Sequence, residues 1–129
     1  RAREVGWMPV SSLVHLISAS RVNLNIGRRP HATVPASSTS RLFELASAGA
    51  AIVSNPYEGI DRWFEPGREL VVVSSAEEAV ETYEELLADP AAAEELGRNA
   101  RERVLAEHTY AQRARRLLEL VGVRDPVGV

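Results

Sequence analysis

Ser37, Ser38, Thr39 and Ser40 run directly into Arg41, and Glu44 follows within one helical turn. Hydroxyls and a guanidinium beside the unpaired backbone N–H groups that open a helix suit a phosphate or a diphosphate. A carboxylate one turn further on can accept hydrogen bonds from the vicinal hydroxyls of a ribose, as the acidic residue of dinucleotide sites does. Both sets also have plain structural uses: small polar residues are ordinary N-caps, and an early acid complements the helix dipole. Spacing alone does not choose between these uses. Upstream, Arg28 and His31 lie in an irregular stretch from Gly27 to about Ser38 that also holds Pro30 and Pro35. Loops of about 12 residues inside a compact domain tend to be functional or mobile. His31 there either touches a sugar or phosphate or stands as a solvated loop histidine. Arg28 and His31 thus join Ser38, Thr39, Ser40, Arg41 and Glu44 as the candidate binding set.

Other chemistries find little support. The chain has no Cys, which removes thiol nucleophiles, disulfides and Cys-built zinc sites. Its three His, at 15, 31 and 108, form no i,i+4 pair, so no metal site is expected. His15, beside Val14 and Leu16, reads as structural; His108 precedes a Thr109/Gln112 capping pattern and reads as a helix boundary. Trp7 and Trp63 read as core or interface fillers rather than base-stacking platforms.

The elements that must hold the candidate residues are legible from periodicity. Glu4–Trp7 is a weak strand candidate, and Leu13, Val14 and Ile17 share one face of a helix after Pro9. Val22, Leu24 and Ile26 alternate with Asn23 and Asn25, the period of a strand. A helix is expected from Ser38–Ser40 to Ala48, with Leu42, Leu45 and Ala46 inward and Gly49 ending it. Ala50–Val53 and Leu70–Val73 read as buried strands, separated by a short helical turn over Tyr57–Phe64 and a Pro66-Gly67 turn. Three helices follow. Ser75 and Glu78 form a capping box before an apolar stripe of Val80, Tyr83 and Leu87. Asp89-Pro90 opens the next, with Leu96, Ala100 and Val104 inward. Thr109 with Gln112 leads into Tyr110, Ala114, Leu117, Leu118 and Val121.

Strands alternating with helices predict an α/β fold, a Rossmann-like doubly wound parallel sheet of about four strands with a helical C-terminal region. In such sheets ligands bind outside the carboxyl ends of the strands, where loops 27–40 and 54–61 fall. At 129 residues the chain is one domain, over about residues 1–123, with 124–129 as a flexible tail. Residue 1 is Arg and a strand candidate follows at once, so the chain reads as N-terminally truncated, lacking its first βα unit. A sheet without its edge unit exposes backbone groups and apolar surface, so homodimerisation is an expectation. No apolar run approaches the roughly 18 residues of a membrane helix and no signal peptide opens the chain, so a cytoplasmic domain is expected. The net charge is −3, and every basic residue is Arg. Residues 77–97 carry eight acids and no base, while 98–116 hold six arginines, expected to attract one another across solvated faces. The acidic helix and the negative charge argue against nucleic acid as a partner.

The run Arg41-Leu42-Phe43-Glu44-Leu45-Ala46-Ser47-Ala48-Gly49-Ala50-Ala51-Ile52-Val53-Ser54 resembles the nucleotide-binding segment of GT-B glycosyltransferases. It is most similar to the C-terminal "glycosyl transferases group 1" domain of the CgeB-like branch, in which R-x-F-E precedes a buried strand. Val22–Ile26, Phe64–Glu69, Leu86–Pro90, Arg98–Ala100 and His108–Tyr110 resemble that domain in the same order, over about residues 5–121. The resemblance implies the donor-binding half of a two-domain transferase that moves sugar from a nucleoside-diphosphate sugar and needs no structural metal or other cofactor. Glu44 would hold the donor ribose and the helix start at Ser38–Arg41 would face the diphosphate. Acceptor contacts would come from an N-terminal domain of the same protein, onto which the helix from Thr109 folds back. Many retaining members carry a further Glu eight positions before Glu44, where this chain has Ala36. The alternative from another class is a non-catalytic, flavodoxin-like interaction or regulatory module.

Overall fold

The computed structural model describes residues 6–27, 34 and 38–122. Helix α1 (Val10–Ala19) leads to strand β1 (Asn23–Asn25), helix α2 (Ser40–Ser47) and strand β2 (Ile52–Ser54). A single 3-10 turn (Ile60–Arg62) and strand β3 (Val71–Val72) follow, then helices α3 (Ala76–Ala88), α4 (Pro90–Glu107) and α5 (Tyr110–Leu120). The strands form one parallel sheet in the order β1-β2-β3. Among the described residues the sheet has three strands rather than four. Gly6 and Trp7 take no part in it, while Glu4 and Val5 lie outside the described residues.

Side chains alternate across β2 and divide the core into two layers. On one face Ile52 meets Leu42, Leu45 and Ala46 of α2, Ile17 of α1, Phe64 and Leu70. On the other, Ala51 and Val53 meet Val73, Leu86 of α3, and Ala93 and Leu96 of α4. Ala100 and Val104, further along α4, return to the first layer. This one helix therefore serves both faces, which it reaches by crossing the amino end of β2. The crossing is close: a Cβ on Gly97 would sit 2.0 Å from the Gly49 carbonyl oxygen. Gly49 itself has φ 73°, the left-handed conformation expected of the residue that ends α2.

The three C-terminal helices start where their capping signals place them. The Ser75 hydroxyl accepts from the Glu78 N–H at 3.1 Å, and Asp89 Oδ1 accepts from the Ala91 and Ala92 N–H groups. Thr109 and Gln112 form the full reciprocal box.

Burial departs from expectation at the flanks. The inward residues of α3 are Thr82 and Leu86, whereas Val80 and Leu87 are exposed. Leu87 and Tyr83 instead line a shallow groove with Val22 and with Leu24 of β1. Of the α1 stripe only Ile17 is buried, and α5 buries no residue. His15 is exposed rather than structural, and Trp7 is exposed rather than part of the core. The acidic run and the arginines do not pair across helices: Arg103 bonds Glu69 at 3.0 Å and Glu107 at 2.7 Å, and Arg116 bonds Glu119. Short i,i+3 and i,i+4 reaches, and one buried acid, take the guanidiniums first.

Candidate functional site

Parallel pairing sets Asn25 opposite Ser54, so the carboxyl ends of β1 and β2 finish side by side. Both end residues are polar and both are buried, Asn25 at 3% exposure and Ser54 at 1%. Burial of such groups is tolerated only where hydrogen bonds replace water. Asn25 Nδ2 donates to Ser54 Oγ at 3.0 Å, and the Ser54 hydroxyl has the Asn25 and Asn55 carbonyl oxygens as acceptors at 3.1 and 3.0 Å. Asn25 Oδ1 accepts from the Thr39 hydroxyl at 3.3 Å. Next to it, Asn55 Oδ1 accepts from the Gly27 N–H at 2.7 Å, tying the chain after β1 to the chain after β2. Among the described residues only Trp63 Nε1 is a buried side-chain polar atom without a partner, so this network is fully satisfied.

Thr39 is the N-cap residue of α2, and through it the network fixes the start of that helix at the rim of the sheet. Ser38 Oγ lies 3.4 Å from the Tyr57 hydroxyl. Burial raises the Tyr57 pKa above its ordinary value, against a smaller opposing effect of the Ser38 bond, so the phenol stays neutral at physiological pH. Ser40 and Arg41 follow, both exposed. Glu44 is exposed as well, on the solvent face of α2 one turn past Ser40, while Leu42, Leu45 and Ala46 face the core. Among the described residues, no hydrogen bond or ion pair reaches the Arg41 guanidinium or the Glu44 carboxylate. Ser38 and Thr39 thus precede α2, Ser40 and Arg41 open it, and Glu44 lies one turn further along its solvent face. Arg28 and His31 lie outside the described residues.

Sequence reading missed the residues that brace this helix start: Asn25, Ser54, Asn55 and Tyr57. The signal available was their position, since polar residues that close parallel strands stand at the rim where ligands bind.

Beside Glu44, Phe43 turns the other way into an aromatic cluster. Its ring meets Trp63 edge-on at 5.8 Å and His108 at 5.2 Å. The Arg113 guanidinium of α5 sits 4.8 Å from the Trp63 ring centre and 5.3 Å from that of Phe43. His108, the residue that ends α4, bonds the Trp63 carbonyl through Nε2 at 3.1 Å. The cluster fastens α5 to the helix that carries Glu44.

A parallel sheet with helices on both faces and a polar rim at its carboxyl ends defines a Rossmann-like α/β domain. The chain belongs to the glycosyl transferase-like family, whose profile matches residues 1–119. Its fold is similar to that of sucrose-phosphate synthase from Thermosynechococcus elongatus, with a TM-score of 0.76 and 24% identity. That similarity covers 92% of this chain and 29% of the synthase chain. No curated protein matches the sequence. The expected resemblance to glycosyltransferases thus holds at the level of this family. Among the described residues, no helix is long and apolar enough to cross a membrane.

Proposed function

We propose that this chain is the donor-binding half of a glycosyltransferase of the CgeB-like branch, holding a nucleoside-diphosphate sugar at the carboxyl rim of its sheet. In this reading Glu44 accepts hydrogen bonds from the ribose hydroxyls. The first N–H groups of α2, the Ser38 and Ser40 hydroxyls and the Arg41 guanidinium receive the diphosphate. Charge builds on that diphosphate as the sugar departs, and donors already fixed in place lower the barrier at that point. The acceptor and any catalytic base come from a partner domain, so the chain alone binds nucleotide weakly and transfers nothing.

One observation carries the reading. The Glu44 carboxylate is exposed and without a described partner, on the helix whose start is braced at the rim. The test is titration with ADP and UDP by calorimetry. Loss of the two ribose bonds in Glu44→Ala is expected to weaken binding about 10-fold or more, with the melting temperature unchanged. Equal affinity of the variant and the unmutated chain for both nucleotides removes Glu44 from the site. Sugar transfer by the isolated chain overturns the division of labour.

A further inference from the structure

His108 ends α4 in a setting that fixes which ring nitrogen carries the proton. Nε2 lies 3.1 Å from the Trp63 carbonyl oxygen, which only accepts, so Nε2 holds the hydrogen. Nδ1 lies 3.4 Å from Arg113 Nη2, which only donates, so Nδ1 offers its lone pair. One neutral tautomer meets both contacts; a protonated ring, with N–H on both sides, does not. The surrounding charges are committed elsewhere. Glu107, next to the ring on α4, bonds Arg103, and Arg116, one turn on along α5, bonds Glu119. Arg41 and Glu44 of α2 and Asp61 and Arg62 of the 3-10 turn are exposed, and the ring meets Phe43, Trp63 and Phe64 from those directions. Among the described residues no carboxylate pairs with His108, so Arg113 is the charge it faces.

The placement of α5 depends on this arginine. No residue of the helix is buried, and at 11 residues it is of a length that is marginal in water by itself. Its first turn is tied to the end of α4 by the Thr109–Gln112 box and by Gln112 Nε2 on the Leu105 and Ala106 carbonyls. Arg113 reaches past that junction, onto the rings of Trp63 and of Phe43 in α2. We infer that His108 and Arg113 form a pH-sensitive latch on α5: the neutral ring holds the guanidinium on the aromatic cluster, and protonation at Nδ1 releases it. Protonation replaces an acceptor with a donor and sets a second cation against the first, in a cluster whose rings shield them from water. The hold is present while the ring is neutral and is lost on acidification. The latch governs where α5 carries its exposed Leu117, Leu120 and Val121.

NMR of the 129-residue chain, titrated from about pH 8 to about pH 5, tests this. The His108 ring proton between the two nitrogens reports the charge of the ring. The Arg113 side-chain protons, displaced by the ring current of Trp63, report the latch, and the Cα shifts of α5 report its helix content. One midpoint is expected for all three, with the ratio of held to released Arg113 falling about 5- to 10-fold and the Cα shifts of α3 unmoved. His108→Gln, which does not titrate, is expected to remove the pH dependence of the Arg113 and α5 signals. An Arg113 signal that stays constant while the ring titrates, a midpoint apart from that of His108, or a transition that survives in His108→Gln overturns the inference. So does a ring still neutral at the acid end of the titration. Should His108→Gln not fold, Arg113→Met, at an exposed position, takes its place. Its α5 shifts are expected to stand near the acid values already at the alkaline end and to change no further; an α5 that keeps its pH response without Arg113 overturns the inference.

Discussion

The two ends of the sheet are built on opposite plans. At the amino end, α4 presses its backbone against the turn before β2, with Gly97 over Gly49 and the Arg101 guanidinium on the Ser47 carbonyl. Glu69, buried just before β3, is clasped by Arg103 and by the Glu65 N–H. Nothing larger than a hydrogen fits at the Gly97 contact. At the carboxyl end no helix among the described residues crosses, and Asn25, Ser54, Asn55 and Thr39 side chains bridge the strand ends. Close apolar and backbone packing tolerates no added atom. A hydrogen-bonded rim holds its geometry while keeping donors and acceptors near the surface. The difference separates the end that fixes the fold from the end proposed to hold the donor.

The sharpest way to break the comparison is Gly97→Ala. Inside an exposed helix that change stabilises by about 1 kcal/mol. Here the new methyl meets a carbonyl oxygen, and a loss of about 3 kcal/mol or more is expected, read as a fall in the urea midpoint. A neutral or stabilising result shows that the amino end yields, and the contrast fails. Next in size is Arg103→Met, which keeps the stem but strands the buried Glu69 carboxylate. A destabilisation of about 2–4 kcal/mol is expected, recovered in part by Glu69→Gln in the same chain. The smallest effect belongs to the carboxyl end. Because burial raises the Tyr57 pKa in the folded chain, its contribution to stability is fully present below the unfolded value of 10.0. It is lost as pH rises from there through the higher folded value. Denaturation midpoints at a series of alkaline pH values should show that decline, and Tyr57→Phe should abolish its Tyr57 component.

What could be read in advance follows the same division between local and distant causes. The starts of α3, α4 and α5 were legible because a cap and its target lie within three residues of each other. The inward stripe of α4 was legible too, since Leu96, Ala100 and Val104 repeat at helical spacing and are all buried. For α3 the stripe Val80, Tyr83, Leu87 was equally regular, yet the sheet lies against Thr82 and Leu86. Which face turns inward depends on where the neighbouring strand lies, and among the described residues no strand pairs with β1 beyond β2 on that side. In β1 the alternation was visible but not its sense: Leu24 is half-exposed and Asn25 is buried. Asn25 goes inside because Ser54 and Thr39, 29 and 14 residues away, satisfy it there. No local pattern encodes such a partnership. Of the candidate site, residues 38–41 were nominated from spacing and lie at the start of α2 with Glu44 one turn on, while the residues that brace that start were not nominated.

One helix leaves its mark on how the molecule comes apart. Ala93 and Leu96 near the start of α4 complete one layer, and Ala100 and Val104 near its end complete the other. To strip this rod from either side of the sheet is to uncover the opposite side as well. The two layers are therefore expected to melt as partners in a single transition, and the rim that they support to go with them.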